Sequence, residues 1–317
     1  MQVVIGQYIP ANSWVHRLDP RTKLVGLILL IVSTFLIQEL NTMLALLVAV
    51  LVLFASSKIP LRRFFKGIAP LLFLLTFTVV FQLLLNRQGD VLFQTTGYLG
   101  WQQGLMIVAI IVGYQLLKRV FRFRFALFVL SLIGIFAVVQ IDVATPWLTF
   151  EIAVYQGGAM FALFLVTRIV ILITLSSLLT LTTKPTDLNN GLEEVMKPLR
   201  RLNIPTNEIA MMIAIALRFI PTLLDEANKI MKAQSSRGVD FNEGSLRQKV
   251  TQIISLLIPM FIISFKRADD LANAMEARGY APGRVRSKYV KFHMQVPDYL
   301  LLAITIGWIP AVVILGL

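Results

Sequence analysis

The sequence predicts an all-α fold: a polytopic membrane helical bundle of about seven spans that carries long, kinked helices on its cytoplasmic side. Hydrophobic residues make up 57% of the 317 residues and charged residues 15%, against about 45–50% and about 25% in soluble domains. The mean hydropathy is +0.76. Several apolar runs approach the roughly twenty residues that a helix needs to cross a bilayer. Together these observations indicate a chain that lies mostly in the membrane.

The candidate spans divide the chain into four parts. A polar N-terminal segment covers residues 1–23, six spans lie within 24–181, a polar region covers 182–297, and a last span lies within 298–317. The apolar runs are 24–40, 41–57, 67–85, 104–117, 125–141, 157–181 and 299–317. The first run has no clear cleavage site and another span follows it at once, so we expect a signal anchor that stays in place.

Basic residues predict the orientation of these spans. Clusters at 58–66 and 118–124 alternate with loops at 86–103 and 142–151 that carry one base or none. The positive-inside rule then places the N-terminus and the region 182–297 in the cytoplasm of a multi-pass protein of the cell membrane. The same rule accounts for the net charge of +13. Membrane lipid is therefore an expected partner, and nucleic acid is not.

The residue inventory argues against chemistry in this chain. It contains no cysteine and two histidines, too few for a metal site built on thiolate or imidazole. A P-loop, a His-Glu-x-x-His motif and a Gly-x-Ser-x-Gly motif are all missing from the sequence. We therefore expect no catalytic residue, no cofactor and no enzymatic activity.

The polar region reads as a short helix followed by two long ones. Asp187 can cap a helix over 188–199, and Thr206 or Asn207 can cap the next. That second helix begins with an apolar run at 209–220, which is too short to span a bilayer. It suits a helix that is buried in protein or lies at the membrane interface. Pro221 predicts a kink, after which the pattern is amphipathic. A third helix over 245–278 repeats this plan, with Pro259 in its apolar run.

Both long helices end in a small residue, an arginine and a glycine. An arginine in the last turn complements the helix dipole, and a glycine beyond it supplies a left-handed residue. This structural explanation accounts for one such helix end. It does not explain why two helices with the same pattern both end in the same three-residue motif. A planar guanidinium at a helix tip also suits a bidentate grip on a partner's carboxylate. The residues concerned are Ser236, Arg237, Gly238, Ala277, Arg278 and Gly279.

Arg168 is a charge in the middle of the sixth span. A charge near the bilayer centre is costly and usually faces the bundle interior or a partner. One reading is a contact in a subunit interface or a substrate path. The other is a structural arginine bonded to main-chain carbonyls, to Gln82 or to Gln115.

The polar region resembles a known family, the transmembrane T component of energy-coupling-factor (ECF) transporters, which take up vitamins and trace metals. The resemblance covers most of the chain and is strongest in four stretches. These are SLLTLTTKP at 177–185, LRFIPTL at 217–223, KIMKAQ at 229–234, and FKRA at 265–268 with AMEARGY at 274–280. In combination they are specific, whereas one Ala-Arg-Gly triplet alone is weak.

The resemblance implies a coupling scaffold that neither hydrolyses ATP nor captures the substrate. Arg237 and Arg278, with their small neighbours, would dock into two cytoplasmic ABC-type ATPases. The long helices would hold a small membrane subunit, the substrate-binding S component. The residues expected to form that scaffold are Met211, Met212, Ile215, Phe219, Leu256, Leu257 and Met260. Two departures stand out: Ser236 replaces the usual alanine, and the family usually has about five spans rather than seven, with the excess near 104–150.

Other classes of function make different demands on the sequence. A secondary transporter acting alone would be expected to carry buried acids or broken helices near the bilayer midplane. The predicted spans contain Arg168 but no clear buried aspartate or glutamate. A plain membrane scaffold would bind soluble partners without supporting ATP-dependent uptake.

Overall fold

The structure is a computed structural model that describes residues 8–120, 124–141, 147–202, 204–239, 245–281 and 292–315. Its helices and strands follow one another along the chain in this order: α1 (Trp14–Arg17), α2 (Pro20–Leu36), α3 (Leu40–Ser56), α4 (Leu61–Leu85), β1 (Val91–Leu99), α5 (Trp101–Val120), α6 (Arg124–Val139), β2 (Leu148–Tyr155), α7 (Gln156–Thr182), α8 (Pro185–Met196), α9 (Thr206–Ser236), α10 (Leu246–Ala277) and α11 (Val296–Leu315). A short 3-10 helix, Lys197–Leu202, follows α8.

The predicted helical membrane fold is confirmed, and each predicted span coincides with a helix: α2 to α7 and α11. By length and composition, four described helices could cross a membrane: Gln156–Thr182, Thr206–Ser236, Arg247–Ala277 and Val296–Ile314. Shorter apolar helices cover Leu40–Ser56, Leu71–Leu85 and Phe125–Val139. Composition thus does not separate α9 and α10 from the spans. Their cytoplasmic location and the four-part division of the chain stay predictions.

The chain groups into two compact units. Met1–Pro10, His16–Gly26 and Leu179–Ile304 form what we call the arm unit, which contains α8, α9 and α10. Ala11–Val15, Leu27–Leu178 and Thr305–Leu317 form the ribbon unit, which contains α3 to α6 and both strands. Helices α2, α7 and α11 contribute residues to both.

The core of the ribbon unit is formed by α3, α7, α11 and the turn that precedes α3. Aliphatic side chains and one methionine form it, and large side chains such as Phe164 and Trp308 pack around them. Its buried members are Ile37, Met43, Leu46, Val50, Ile171, Leu175 and Val312. Burial of aliphatic side chains here excludes both water and lipid from the helix contacts, so these helices are held by close packing.

A two-stranded ribbon is the main feature that the sequence did not predict. β1 and β2 pair antiparallel, with Thr95 opposite Ile152 and Leu99 opposite Leu148, where polar loops were expected. The alternation of apolar and other residues in Leu-Thr-Phe-Glu-Ile-Ala-Val-Tyr was the available signal. The ribbon joins α7 closely, because Gly157 donates its N–H to the Gln88 carbonyl at 2.9 Å.

The arm unit is held by a buried polar cluster around Lys23. The ammonium of Lys23 donates to the carbonyls of His16 and Thr182, each at 3.3 Å, and to the Thr183 hydroxyl at 3.2 Å. Buried Asp298 accepts the N–H of Asp19 at 2.9 Å. The cluster therefore ties the start of α2 to the end of α7 and the start of α11. Sequence reasoning did not single it out.

Helix starts in the arm unit differ from the predicted caps. Asp187 lies inside the first turn of α8, which begins at Pro185 and has no side-chain cap. Thr206 is the first residue of α9, and its neighbour Pro205 occupies the cap position without a side-chain bond. The prediction of Asp187, Thr206 or Asn207 as caps is therefore wrong. Pro185 is the first helical residue of α8, where its missing N–H has no helical partner to lose, and Pro205 occupies the cap position of α9.

The third helix of the polar region starts as predicted. The hydroxyl of Ser245 accepts the Gln248 N–H, and the Gln248 side chain accepts the Ser245 N–H, a complete capping box. Pro221 and Pro259 both lie inside continuous helices. The helices are about 46 and 48 Å long, from 31 and 32 residues at about 1.5 Å each.

Gly157→Ala tests the joint between the ribbon and α7. A Cβ at Gly157 would lie 2.6 Å from the Gln88 carbonyl oxygen, and such overpacking costs about 1–3 kcal/mol. We expect a clearly lower melting temperature in detergent. Gly104→Ala is the control, because a Cβ there meets nothing within 4 Å and alanine favours helix. Equal melting temperatures for the two variants would contradict the joint.

Lys23→Met tests the buried cluster through its pH dependence. Burial lowers the pKa of Lys23 to about 8 from its usual 10.5, although Asp187, Asp298 and Asp19 partly oppose the shift. Between these values the unfolded chain binds more protons, so the free energy of unfolding rises with pH across this window. Below about pH 8 the cost of burying the charge is fully present.

The measurement is the melting temperature of wild type and Lys23→Met at several pH values within that window. Subtracting the variant's profile removes the other lysines and tyrosines that titrate there. We expect the difference to shift in favour of the wild type as pH rises. Parallel profiles would show that the ammonium is solvated rather than buried.

Candidate functional site

We call the C-terminal ends of α9 (Ser236–Gly238) and α10 (Ala277–Gly279) the arginine tips. At the first tip, main-chain hydrogen bonds satisfy the last carbonyl groups of α9. Arg237 is the cap residue, with φ −90° and ψ 8°, and Gly238 follows in the left-handed region at φ +87°. The N–H of Gly238 donates to the Ser235 carbonyl at 3.0 Å, and the N–H of Val239 donates to the Gln234 carbonyl at 3.1 Å. This pair of bonds is a Schellman motif, and it satisfies carbonyls that the helix itself leaves free.

The second tip has the same construction. Arg278 caps α10 with φ −91° and ψ 11°, and Gly279 has φ +71°. The N–H of Gly279 donates to the Glu276 carbonyl at 2.8 Å, and the N–H of Tyr280 donates to the Met275 carbonyl at 3.0 Å. Both arginine side chains are exposed. Each tip therefore carries an exposed guanidinium group, and the backbone geometry is the same at both tips.

The second tip lies near the middle of α9, and the first tip lies at the C-terminal end of α9. A pocket of about 500 Å³ opens between Phe219 and Leu223 of α9 and Met275 of α10, and Tyr280 also lines it. The base of the second tip thus packs on the middle of α9. Arg237 lies 18 residues beyond Phe219, about 27 Å along the helix. The tips can therefore reach two separate partners.

One ion pair fastens the two long helices where they cross. Arg267 of α10 donates from Nη2 to Oε1 of Glu226 of α9 at 2.8 Å, and both side chains are half-buried. Partial burial strengthens such a charged hydrogen bond relative to an exposed one. The pair therefore ties α9 to α10 at this point.

The predicted scaffold residues do not share one surface. Ile215 and Phe219 line the pocket between the helices. Met212 and Leu257 are exposed, at 59% and 52%. The remaining residues of the set, Met211, Leu256 and Met260, are half-buried.

An exposed apolar ridge on α10 lies largely within the predicted apolar run 253–263, but its residues are not among the predicted scaffold residues. It consists of Ile254, Ile258, Phe261 and Phe265, which are 46–64% exposed. Their spacing of three or four residues puts them on one face of the helix, and this spacing was readable from the sequence. A contiguous apolar ridge of this kind is suited to contact with another membrane helix or with lipid.

Arg168 belongs to the ribbon unit and bonds to a main-chain carbonyl. Its Nη2 donates to the Ile37 carbonyl at 3.3 Å, and its guanidinium lies 4.6 Å from the ring centre of Phe164 and 5.5 Å from that of Phe35. Ile37 closes the last turn of α2, because its N–H bonds to the Ser33 carbonyl. Arg168 therefore caps a helix end, as the structural reading proposed, and Gln82 and Gln115 are not its partners.

Known proteins resemble this chain over nearly its whole length. Residues 11–114 and 104–289 match the CbiQ family, described as Cobalt transport protein. The chain belongs to this family. The energy-coupling factor transporter transmembrane protein EcfT of Bacillus subtilis (strain 168) is 36% identical over 289 residues, which cover 91% of this chain and 89% of the relative. The resemblance inferred from the motifs is thereby confirmed, and the chain is a transmembrane component of an ECF transporter.

Two further relatives carry the same description. The EcfT protein of Streptococcus equi subsp. equi (strain 4047) is 37% identical over 305 residues, 96% of this chain and 93% of the relative. That of Lacticaseibacillus paracasei is 38% identical over 294 residues, 92% of this chain and 91% of the relative. The alignments therefore include the ribbon and both arginine tips.

Arg168→Leu tests the structural role of the arginine. The Ile37 carbonyl would lose its partner inside the protein, which costs about 1–3 kcal/mol, so we expect a lower unfolding temperature in lipid nanodiscs. Arg168→Lys should be intermediate, because lysine keeps the charge but loses the planar stacking. Arg218→Leu on α9, an exposed arginine, is the control. Full stability of Arg168→Leu with loss of transport would instead assign Arg168 to a functional contact.

Proposed function

We propose that this protein is the energy-coupling scaffold of an ECF-type importer. In this proposal two ABC-type ATPases dock on the tips of α9 and α10, and a small substrate-binding S component sits on the long helices. ATP hydrolysis then occurs in the partner subunits, and this chain has no catalytic role. A vitamin or trace metal enters through the S component.

The observation that supports the proposal most directly is that main-chain hydrogen bonds alone cap the C-terminal ends of α9 and α10. Each tip uses main-chain N–H groups of the glycine and of the next residue, so the arginine side chain is not needed to cap the helix. Arg168 and Lys23, in contrast, bond to carbonyls at buried helix ends. A guanidinium that is exposed at the end of a stiff helix is available to a partner's carboxylate. This favours docking over the purely structural reading of the tips.

Duplication of the tip supports a pair of similar ATPases. Arg237 and Arg278 have nearly the same backbone dihedrals, so two grooves of one kind could receive them. Since the tips lie far apart along α9, the two partners need not overlap. The small residues before the arginines, Ser236 and Ala277, leave room for a partner's main chain. Ser236 bonds back to the Lys232 carbonyl at 3.0 Å, so its hydroxyl is compatible with the same helix end.

The exposed ridge of α10 supports a membrane partner on the long helices. Within the apolar windows of α9 and α10, only 6% and 0% of residues are buried. Helices this apolar and this uncovered suit contact with another membrane helix. We assign the ridge and the neighbouring Leu257 of α10, together with the exposed Met212 of α9, to the S component. The ion pair between Arg267 and Glu226 would carry movement of an ATPase-bound tip to that surface.

Replacing both tip arginines tests the docking assignment. We expect Arg237→Ala/Arg278→Ala to insert normally but to lose the ATPases on purification in mild detergent, and to lose ATP-dependent uptake in liposomes. Removing one partner of a buried charged pair typically costs about 3–5 kcal/mol, so the loss should be conspicuous. The matched control is Arg200→Ala/Arg201→Ala, which removes two exposed arginines from the 3-10 helix.

The subunits that copurify with the wild type are identified by mass. Two P-loop ATPases and a small hydrophobic subunit are the expected set, and the small subunit would reveal the substrate. Normal assembly and uptake by the double variant would overturn the role of the tips. A chain that purifies alone and moves a solute without ATP would instead favour the alternative, a secondary transporter.

A further inference from the structure

A pair of exposed tryptophans lies at the ribbon end of helix α5. Trp101 is the first residue of α5 and Trp147 precedes β2, and their ring centres are 6.2 Å apart. The side chains are 66% and 73% exposed. Large aromatic side chains bury 150–250 Å² when they are covered, so two of them exposed side by side call for a partner.

The pair is held in place by hydrogen bonds to the main chain around it. The N–H of Trp147 donates to the Leu99 carbonyl at 2.8 Å. The side chain of Gln103, only 1% exposed, accepts the N–H of Gly100 at 2.8 Å and donates to the Ile141 carbonyl at 3.0 Å. A buried glutamine thus fixes the turn into α5 to the end of α6. The tryptophans are therefore displayed from a fixed joint of helices and ribbon.

An apolar stripe on α5 leads directly to this pair. Leu105, Val108, Val112 and Leu116 follow Trp101 at steps of three or four residues and are 50–63% exposed. From Trp101 to Leu116 the stripe is about 22 Å long, most of the roughly 30 Å hydrocarbon thickness of a bilayer. The strand that follows Trp147 exposes Leu148 and then the polar residues Thr149 and Glu151.

We propose that Trp101 and Trp147 form an aromatic anchor in the headgroup region of the lipid bilayer, with the α5 stripe facing the acyl chains. The indole rings lie at the end of the apolar stripe, and the polar residues Thr149 and Glu151 are exposed in the strand that follows Trp147, which suits the boundary between hydrocarbon and water. Indole suits this boundary because its body is apolar and its N–H can bond to lipid carbonyls or water. The anchor fixes the depth of the α5–α6 pair and of the ribbon that crosses its end. This inference does not depend on the proposed docking of ATPases.

Single-tryptophan fluorescence tests the anchor. The chain contains four tryptophans: Trp14, Trp101, Trp147 and Trp308. Two variants retain only Trp101 or only Trp147, with phenylalanine at the other three positions. A third retains only Trp308, which packs half-buried against the core of the ribbon unit, as a matched control. Each full-length variant is reconstituted in phosphatidylcholine–phosphatidylglycerol vesicles whose acyl chains are brominated either near the headgroup or near the terminal methyl.

For Trp101 and Trp147 we expect about twofold stronger quenching by bromine near the headgroup than by bromine near the methyl end, with little quenching by aqueous iodide. Strong quenching by iodide and none by brominated lipid would overturn the proposal, because the rings would lie in water. Quenching by neither would overturn it too, since another protein chain would then cover the pair. Stronger quenching from the methyl end would place the rings too deep for an anchor.

A second comparison does not require triple substitution. The wild type and Trp101→Phe/Trp147→Phe, which retains Trp14 and Trp308, are measured in the same vesicles. We expect the double variant to lose most of the quenching by headgroup-proximal bromine. Unchanged quenching would assign the lipid contact to Trp14 or Trp308 and overturn the anchor.

Discussion

The free carbonyl groups at helix C-termini are the constraint on which much of this structure depends. The last turn of a helix leaves four of them without partners, and a membrane interior supplies no water to satisfy them. Two basic side chains solve the problem inside the protein: Lys23 bonds to the end of α7, and Arg168 to the end of α2. Where α9 and α10 end in exposed positions, glycine-dependent main-chain bonds do the same work. The arginines at those ends are thereby released from capping.

This division explains why a basic residue at a helix end carries different meanings in one chain. Arg168 and Lys23 are internal ties, and their charge is accepted because oxygen atoms or aromatic rings surround it. Arg237 and Arg278 project from finished helix ends. Arg237 and Arg278 are each followed by a left-handed glycine that permits a main-chain cap, whereas Arg168 and Lys23 bond to the end of another helix.

Most of the helices could be predicted from the sequence because their signals are local. Each apolar run assigned to a span coincides with a helix, and the predicted start of the third polar-region helix at Ser245 agrees with the start of α10. The ribbon was missed because its strands are separated by two spans in the chain, so their pairing depends on contacts that no local pattern reports. The arginine tips were readable because a Schellman end is itself local. The pocket and the Arg267–Glu226 ion pair could not be predicted from the sequence, because both depend on where α9 and α10 cross.

The pocket at this crossing has a mechanical consequence. Close-packed helices resist relative motion because any slip breaks many dispersion contacts at once. Here a space of about 500 Å³ replaces part of the contact beneath the second tip. Rotation of α10 about α9 therefore breaks fewer contacts than in a filled interface, while the ion pair at Glu226 keeps the helices from separating. We therefore expect the two helices to rotate about this crossing more readily than they separate from each other.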